Sequence, residues 1–168
     1  MVETANLTGH PKSRSLLFAI GLAILTASSA SSQSGPPASE RAKQVEALVT
    51  KAAALVDSKG KQAFVEFKKR GSEWFGGDTY LFAYDMKANV LLNPAFPKRE
   101  GTNVAGQKDA KGKPFHDEII RTAQTGSGWV DYMFPKPGQT EPSHKWTFVK
   151  KVTIDGVSGL IGSGFYPE

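Results

Sequence analysis

The sequence predicts an α+β domain built around an antiparallel sheet. Apolar residues recur at helical spacing between Ser39 and Asp57. Beyond Gly76-Gly77 the period switches to two and returns to it after one further helical stretch. With the N-terminal segment set aside, about 135 residues remain, enough for one core and too few for two domains.

The first element is a targeting segment. Lys12 and Arg14 give a positive start, Leu16 to Ala27 form an apolar run, and the small residues Ser28, Ser29 and Ala30 follow, the order of a secretory signal. The run stops well short of the ~20 apolar residues a membrane span needs. Residues 1–30 are therefore expected to be a cleaved signal peptide, residues 31–38 a Ser- and Pro-containing linker, and 39–168 a single domain. No other stretch is long and apolar enough to span a bilayer, so the processed chain is expected not to be membrane-embedded.

Within the domain, Val45, Leu48, Val49, Ala52, Leu55 and Val56 form the apolar stripe of a helix, with Ser39 as N-cap and Gly60 as stop. A shorter helix carries Ala63, Phe64 and Phe67 inward. Tyr80 to Tyr84 reads as one central strand, apolar on both faces. A turn over Asp85 to Asn89, with Asn89 suited to the left-handed conformation, leads into a strand from Val90 to Asn93. After a Gly-rich loop, Pro114 opens a helix whose stripe is Phe115, Ile119, Ile120 and Ala123. Gly128 to Phe134, His144 to Val152 and Ser158 to Tyr166 then read as three strands, the last two joined by a hairpin at Asp155-Gly156.

Composition excludes several functions. The chain has no Cys, which removes disulfides, thiol nucleophiles and Cys–zinc sites. The net charge of +5 falls to about +4 without the signal, and its Lys and Arg are scattered, so no nucleic-acid partner is expected. After processing only His116 and His144 remain, far apart in sequence and read as exposed or core-edge residues. Asp85, Asp109, Asp117 and Asp131 have structural readings in turns, a helix start and a strand edge. Gly162-Ser163-Gly164 precedes no helix, so it is no phosphate loop, and glycines in a final strand mark close approach of a ligand or another backbone. Neither catalysis nor a cofactor or metal is expected.

Binding is better supported. Tyr80, Tyr84, Trp129 and Tyr132 offer amphipathic rings, and Lys145 offers a cation, the mixture a small organic ligand needs. The order Tyr80-Leu81-Phe82-Ala83-Tyr84-Asp85, Gly128-Trp129-Val130-Asp131-Tyr132, Lys145 and Gly162-Ser163-Gly164-Phe165-Tyr166 resembles a single Cache domain, a PAS-like extracytoplasmic sensor module. That resemblance implies a five-stranded antiparallel sheet with the long N-terminal helix packed on one face. It also implies a non-catalytic, periplasmic or secreted sensor for a small carboxylate such as acetate, propionate, lactate or pyruvate.

Its ligand-binding residues would be Tyr80, Phe82, Tyr84, Asn93, Trp129, Tyr132, Lys145 and Phe148. Many members carry His where this chain has Asn93 and Tyr where it has Phe148. Receptors of the family follow the module with a membrane helix and an output domain, whereas this sequence ends at Glu168. The expectation is that it hands a ligand-dependent shape to a membrane-bound sensor or receptor, or acts as a scavenging protein. The rival reading is an interaction protein of the same fold that docks onto an envelope partner without a ligand.

Overall fold

The computed structural model describes residues 35–167. The expected signal peptide and the first half of the expected linker lie outside the described residues.

Helix α1 (Glu40–Lys59) starts where Ser39 Oγ accepts the Ala42 N–H at 3.1 Å and stops at Gly60, whose φ is 57°. Its buried stripe is Ala42, Val45, Val49, Ala52, Ala53 and Val56. Leu48 and Leu55 are only half-buried, at the margin of the stripe. A 3-10 turn (Gly60–Gln62) leads into α2 (Ala63–Phe67), whose Phe67 ring packs 4.9 Å from that of Trp74.

The expected strand from Tyr80 to Tyr84 is divided at Leu81. Tyr80 pairs with Phe75 in a separate small hairpin, β1 (Phe75–Gly76) with β2 (Thr79–Tyr80), and its carbonyl accepts the Ser163 hydroxyl at 2.8 Å. The main sheet begins with β3 (Phe82–Asp85), which turns into β4 (Val90–Leu92). In that turn the left-handed residue is Ala88, with φ of 66°, and not Asn89. Asn89 is held instead by the Asp85 carboxylate, which accepts its backbone N–H at 2.9 Å and its side-chain amide at 2.7 Å.

After a loop containing a second 3-10 turn (Pro97–Arg99), α3 (Phe115–Gln124) follows Pro114, which occupies the cap position just before the first helical residue. The remaining strands are β5 (Ser127–Pro135), β6 (Pro142–Ile154) and β7 (Val157–Phe165). Asp155 and Gly156 both have positive φ, 50° and 81°, as the two-residue hairpin requires. The main sheet is antiparallel in the order β4-β3-β7-β6-β5.

The period-two alternation of these strands creates two cores. One lies between the sheet and α1, and includes Ala83, Val152 and Ile161. The other lies between the opposite face and α3 with its preceding loop, and includes Phe82, Tyr84, Val130, Tyr132 and Leu160.

Candidate ligand-binding site

The α3 face buries groups that an apolar core would exclude. Lys145 follows the strand period onto this face of β6 together with Thr147 and Val149, and it is 1% exposed. Its Nζ donates to the Tyr80 hydroxyl at 2.8 Å. The same atom lies 4.2 Å from the Tyr80 ring centroid, 5.3 Å from that of Tyr166 and 5.6 Å from that of Phe134. Burial among these rings draws the amine down to about 7, and Asp78 only partly opposes the fall through space.

Two glycines make this packing possible. A Cβ at Gly164 would lie 2.8 Å from Lys145 Cε, and one at Gly162 would lie 2.6 Å from the Phe82 ring. Side chains of the same domain, as well as neighbouring strand backbone, therefore fill the close approach read from these glycines.

Tyr132 stacks on Phe115 with centroids 4.3 Å apart, and its hydroxyl shares a hydrogen bond of 2.9 Å with Thr147. Tyr84 packs against Phe82 at 5.1 Å and edge-on to the His116 ring at 5.5 Å. Burial pushes the Tyr80, Tyr84 and Tyr132 phenols up, and the charge of Arg99 pulls the last two back. All three stay protonated and able to donate. No acid–base pair poised on a nucleophile is formed by these groups, so the arrangement suits recognition of an acceptor-bearing molecule.

The structure brings Tyr80, Phe82, Tyr84, Tyr132 and Lys145 together. Trp129 and Phe148 are not part of that group. They project from the other face of β5 and β6 toward α1, where their rings pack 5.3 Å apart and Trp129 Nε1 donates to Glu46 at 2.7 Å. The parity of the strands requires this, since Trp129 lies three residues from Tyr132 on β5 and Phe148 three residues from Lys145 on β6. Gly35, within the expected linker, lies against Trp129 on that side.

Asn93 is buried but committed to the loop. Its Oδ1 accepts the Phe96 N–H at 3.1 Å and its own N–H donates to Glu100 at 2.8 Å.

Arg99, His116, Phe115, Phe96 and Phe134 complete the cluster, and the sequence pattern does not mark them as binding residues. His116, read as exposed or core-edge, is 1% exposed. Its spacing to Ile119 and Ala123 on one helix face was the available signal. Arg99 carries none, because a 3-10 turn positions it. His144 does reach the surface, where it pairs with Asp131 at 3.1 Å.

A family model described as Cache domain matches residues 38–168. The sensor histidine kinase MctS of Rhizobium johnstonii is 33% identical over 92 residues, 55% of this chain and 20% of that protein. The methyl-accepting chemotaxis protein McpP of Pseudomonas putida is 31% identical over 92 residues, 54% of this chain and 16% of that protein. The chain thus spans one fifth or less of the length of these curated relatives.

Among solved structures, a periplasmic sensor domain of a chemotaxis protein superposes with a TM-score of 0.64 at 28% identity, covering 76% of this chain and 95% of that one. A Cache chemosensory domain described for its recognition of carboxylic acid gives a TM-score of 0.64 at 26% identity, with 76% and 94% covered. Residues 38–168, with their five-stranded sheet and packed N-terminal helix, belong to the Cache domain family of sensor modules.

Proposed function

We propose that the chain is an exported, non-catalytic sensor module that binds a small carboxylate on the α3 face of its sheet, with Lys145 as the anchor. The observation that carries this reading is a fully buried lysine whose hydrogen bond goes to a neutral phenol. A buried ammonium without an anion is costly, and a ligand carboxylate beside it would supply the missing charge and restore the protonated form. The chemosensory neighbour described for carboxylic acid recognition supports the same ligand class. Residues 1–30 would direct export, and a membrane-bound sensor or receptor would receive the ligand-dependent shape.

A charge-assisted hydrogen bond from Lys145, neutral ones from Tyr80 and Tyr132, and ring contact with the ligand's carbons make a dissociation constant of about micromolar reasonable. The direct test is thermal unfolding of the protein with acetate, propionate, lactate and pyruvate. At a hundredfold excess over such a constant, a ligand bound only by the folded state adds ~2.7 kcal/mol and raises the melting temperature by several degrees. If neither these four acids nor malonate and succinate move the transition, the carboxylate reading fails. The Tyr80 hydroxyl would then be the permanent partner of Lys145, as in the interaction-protein alternative.

A further inference from the structure

Two hydrogen-bond donors on the α3 face have no partner among the described residues. Arg99 donates through one terminal nitrogen to Gln107 Oε1 at 3.1 Å and lies 2.9 Å from His116 Nε2. A guanidinium can only donate, so His116 Nε2 must accept, which places the single proton of the neutral imidazole on Nδ1. Neutrality follows from burial and from the adjacent Arg99 charge, which together hold the ring down at about 3. Both this Nδ1–H and the Arg99 Nε–H are buried and unpartnered. A buried donor left unmade is uncommon in a native domain and calls for an explanation.

The unspent capacity has one sign. Both groups are donors, and Lys145 retains two further N–H groups beyond the one given to Tyr80. Arg99 is charged, and its two hydrogen-bond partners are neutral. The two cations share a wall, because Arg99 Cζ and Lys145 Nζ each lie 5.6 Å from the Phe134 centroid and so at most twice that distance apart. A cleft of about 200 Å³ lined by Arg99, Phe115 and Phe134 opens this end of the cluster to the outside.

Building on the assignment of Lys145 as carboxylate anchor, we propose that Arg99 and His116 form a second anion-recognising end of the same site. The preferred ligand is then a short organic acid with two carboxylates, one at Lys145 and one at Arg99 and His116. A monocarboxylate would leave the second pair of donors buried and unpartnered. A diacid would satisfy both ends across the Phe134 ring.

Calorimetric titration of the protein with two pairs of acids matched in carbon number, propionate with malonate and butyrate with succinate, tests this. The diacid of at least one pair is expected to bind about tenfold or more tightly than its partner. Arg99→Met is expected to abolish that preference by weakening the diacid more than its matched monoacid, and Lys145→Met to weaken both acids of the pair. Equal or weaker binding of both diacids by the parent overturns the second end while leaving the Lys145 anchor in place. So does a preference that survives Arg99→Met. Binding of neither acid in either pair overturns the anchor and the second end together.

A readout on the parent protein guards against a variant that fails to fold. Nitrogen-15 NMR of His116 is expected to show the neutral Nδ1–H tautomer, with its Nδ1 resonance moving on addition of the preferred diacid and not of the matched monoacid. An Nε2–H tautomer, or equal responses to both acids, contradicts the assignment.

Discussion

The two faces of the sheet are buried to a similar depth but filled by different chemistry. Against α1 lie small and aliphatic residues such as Val49, Ala52, Val56 and Ile161, all with essentially no exposure. Against α3 lie Tyr80, Tyr84, Tyr132, Lys145 and His116, equally hidden from solvent but rich in donors. The α1 face behaves as an ordinary core, in which apolar area removed from water supplies stability. The α3 face retains groups whose burial opposes folding, and such groups concentrate at functional sites. The contrast makes separate predictions for stability and for binding.

The largest expected effect is on the α1 face. Val49→Asp places an unpaired carboxylate against the sheet at a site with 0% exposure. The cost of several kcal/mol against a total of ~5–15 is expected to abolish cooperative unfolding at room temperature. Leu48→Asp, at the half-buried margin, is expected to melt lower but remain folded. Equal melting of the two variants would show that the stripe has been placed wrongly.

Lys145→Met is expected to do the reverse. Losing a hydrogen bond to a charged group, worth ~1.5–3 kcal/mol, should weaken carboxylate binding roughly ten- to a hundredfold. The melting temperature should be retained or raised, because a buried amine is replaced by an apolar chain of similar length. The control is Lys151→Met, which removes the same charge from an exposed position of β6. Comparable losses of affinity in the two variants would reduce the role of Lys145 to general electrostatics.

Titration separates the two faces through the charge state of Lys145. The amine of Lys145 sits at about 7 in the folded protein, below its ordinary value of 10.5. Between these values the unfolded chain binds more protons, so the contribution of this group to stability is present above pH 10.5 and is lost as pH falls toward 7. Ligand affinity should move oppositely, because a carboxylate prefers the charged amine and binding should weaken as pH rises above about 7. Unfolding curves and titrations of the parent and Lys145→Met across this range check both slopes. Identical pH dependence in the two proteins would contradict the assignment.

The smallest effects compare two aromatic residues of β5. Tyr132→Phe removes the hydroxyl that meets Thr147 and is expected to lower affinity by less than Lys145→Met. Trp129→Phe removes the bond to Glu46 on the α1 side and should leave affinity unchanged, with at most a slight fall in melting temperature. A larger loss of binding from Trp129→Phe than from Tyr132→Phe would put the site on the wrong face.

Much of the fold is legible in the sequence because it rests on local rules. The Ser39 cap, the Gly60 stop, the period of α1 and the Asp155-Gly156 hairpin each depend on residues near one another in the chain. The division of the first strand at Leu81 is less legible, because it depends on Tyr80 pairing with Phe75 and bonding Ser163. The site divides along the same line. Tyr80, Tyr84, Tyr132 and Lys145 stand out by residue type and by resemblance, whereas the face that each aromatic occupies follows from strand parity once the core faces are known. For that reason residue type alone does not separate Trp129 and Phe148, which face α1, from the rings that face α3.

The sequence by itself determined the α+β class, the antiparallel pattern and the presence of a lysine among aromatic strand residues, since these follow from periodicity and residue type. Only the tertiary structure decided that Lys145 is fully buried against Tyr80, and that Gly164 leaves the space it occupies. It also decided that Arg99, from a loop, meets His116, from α3, with two donors unspent. Burial and hydrogen-bond satisfaction are properties of groups brought together from distant parts of the chain, so they depend on contacts that no local spacing encodes.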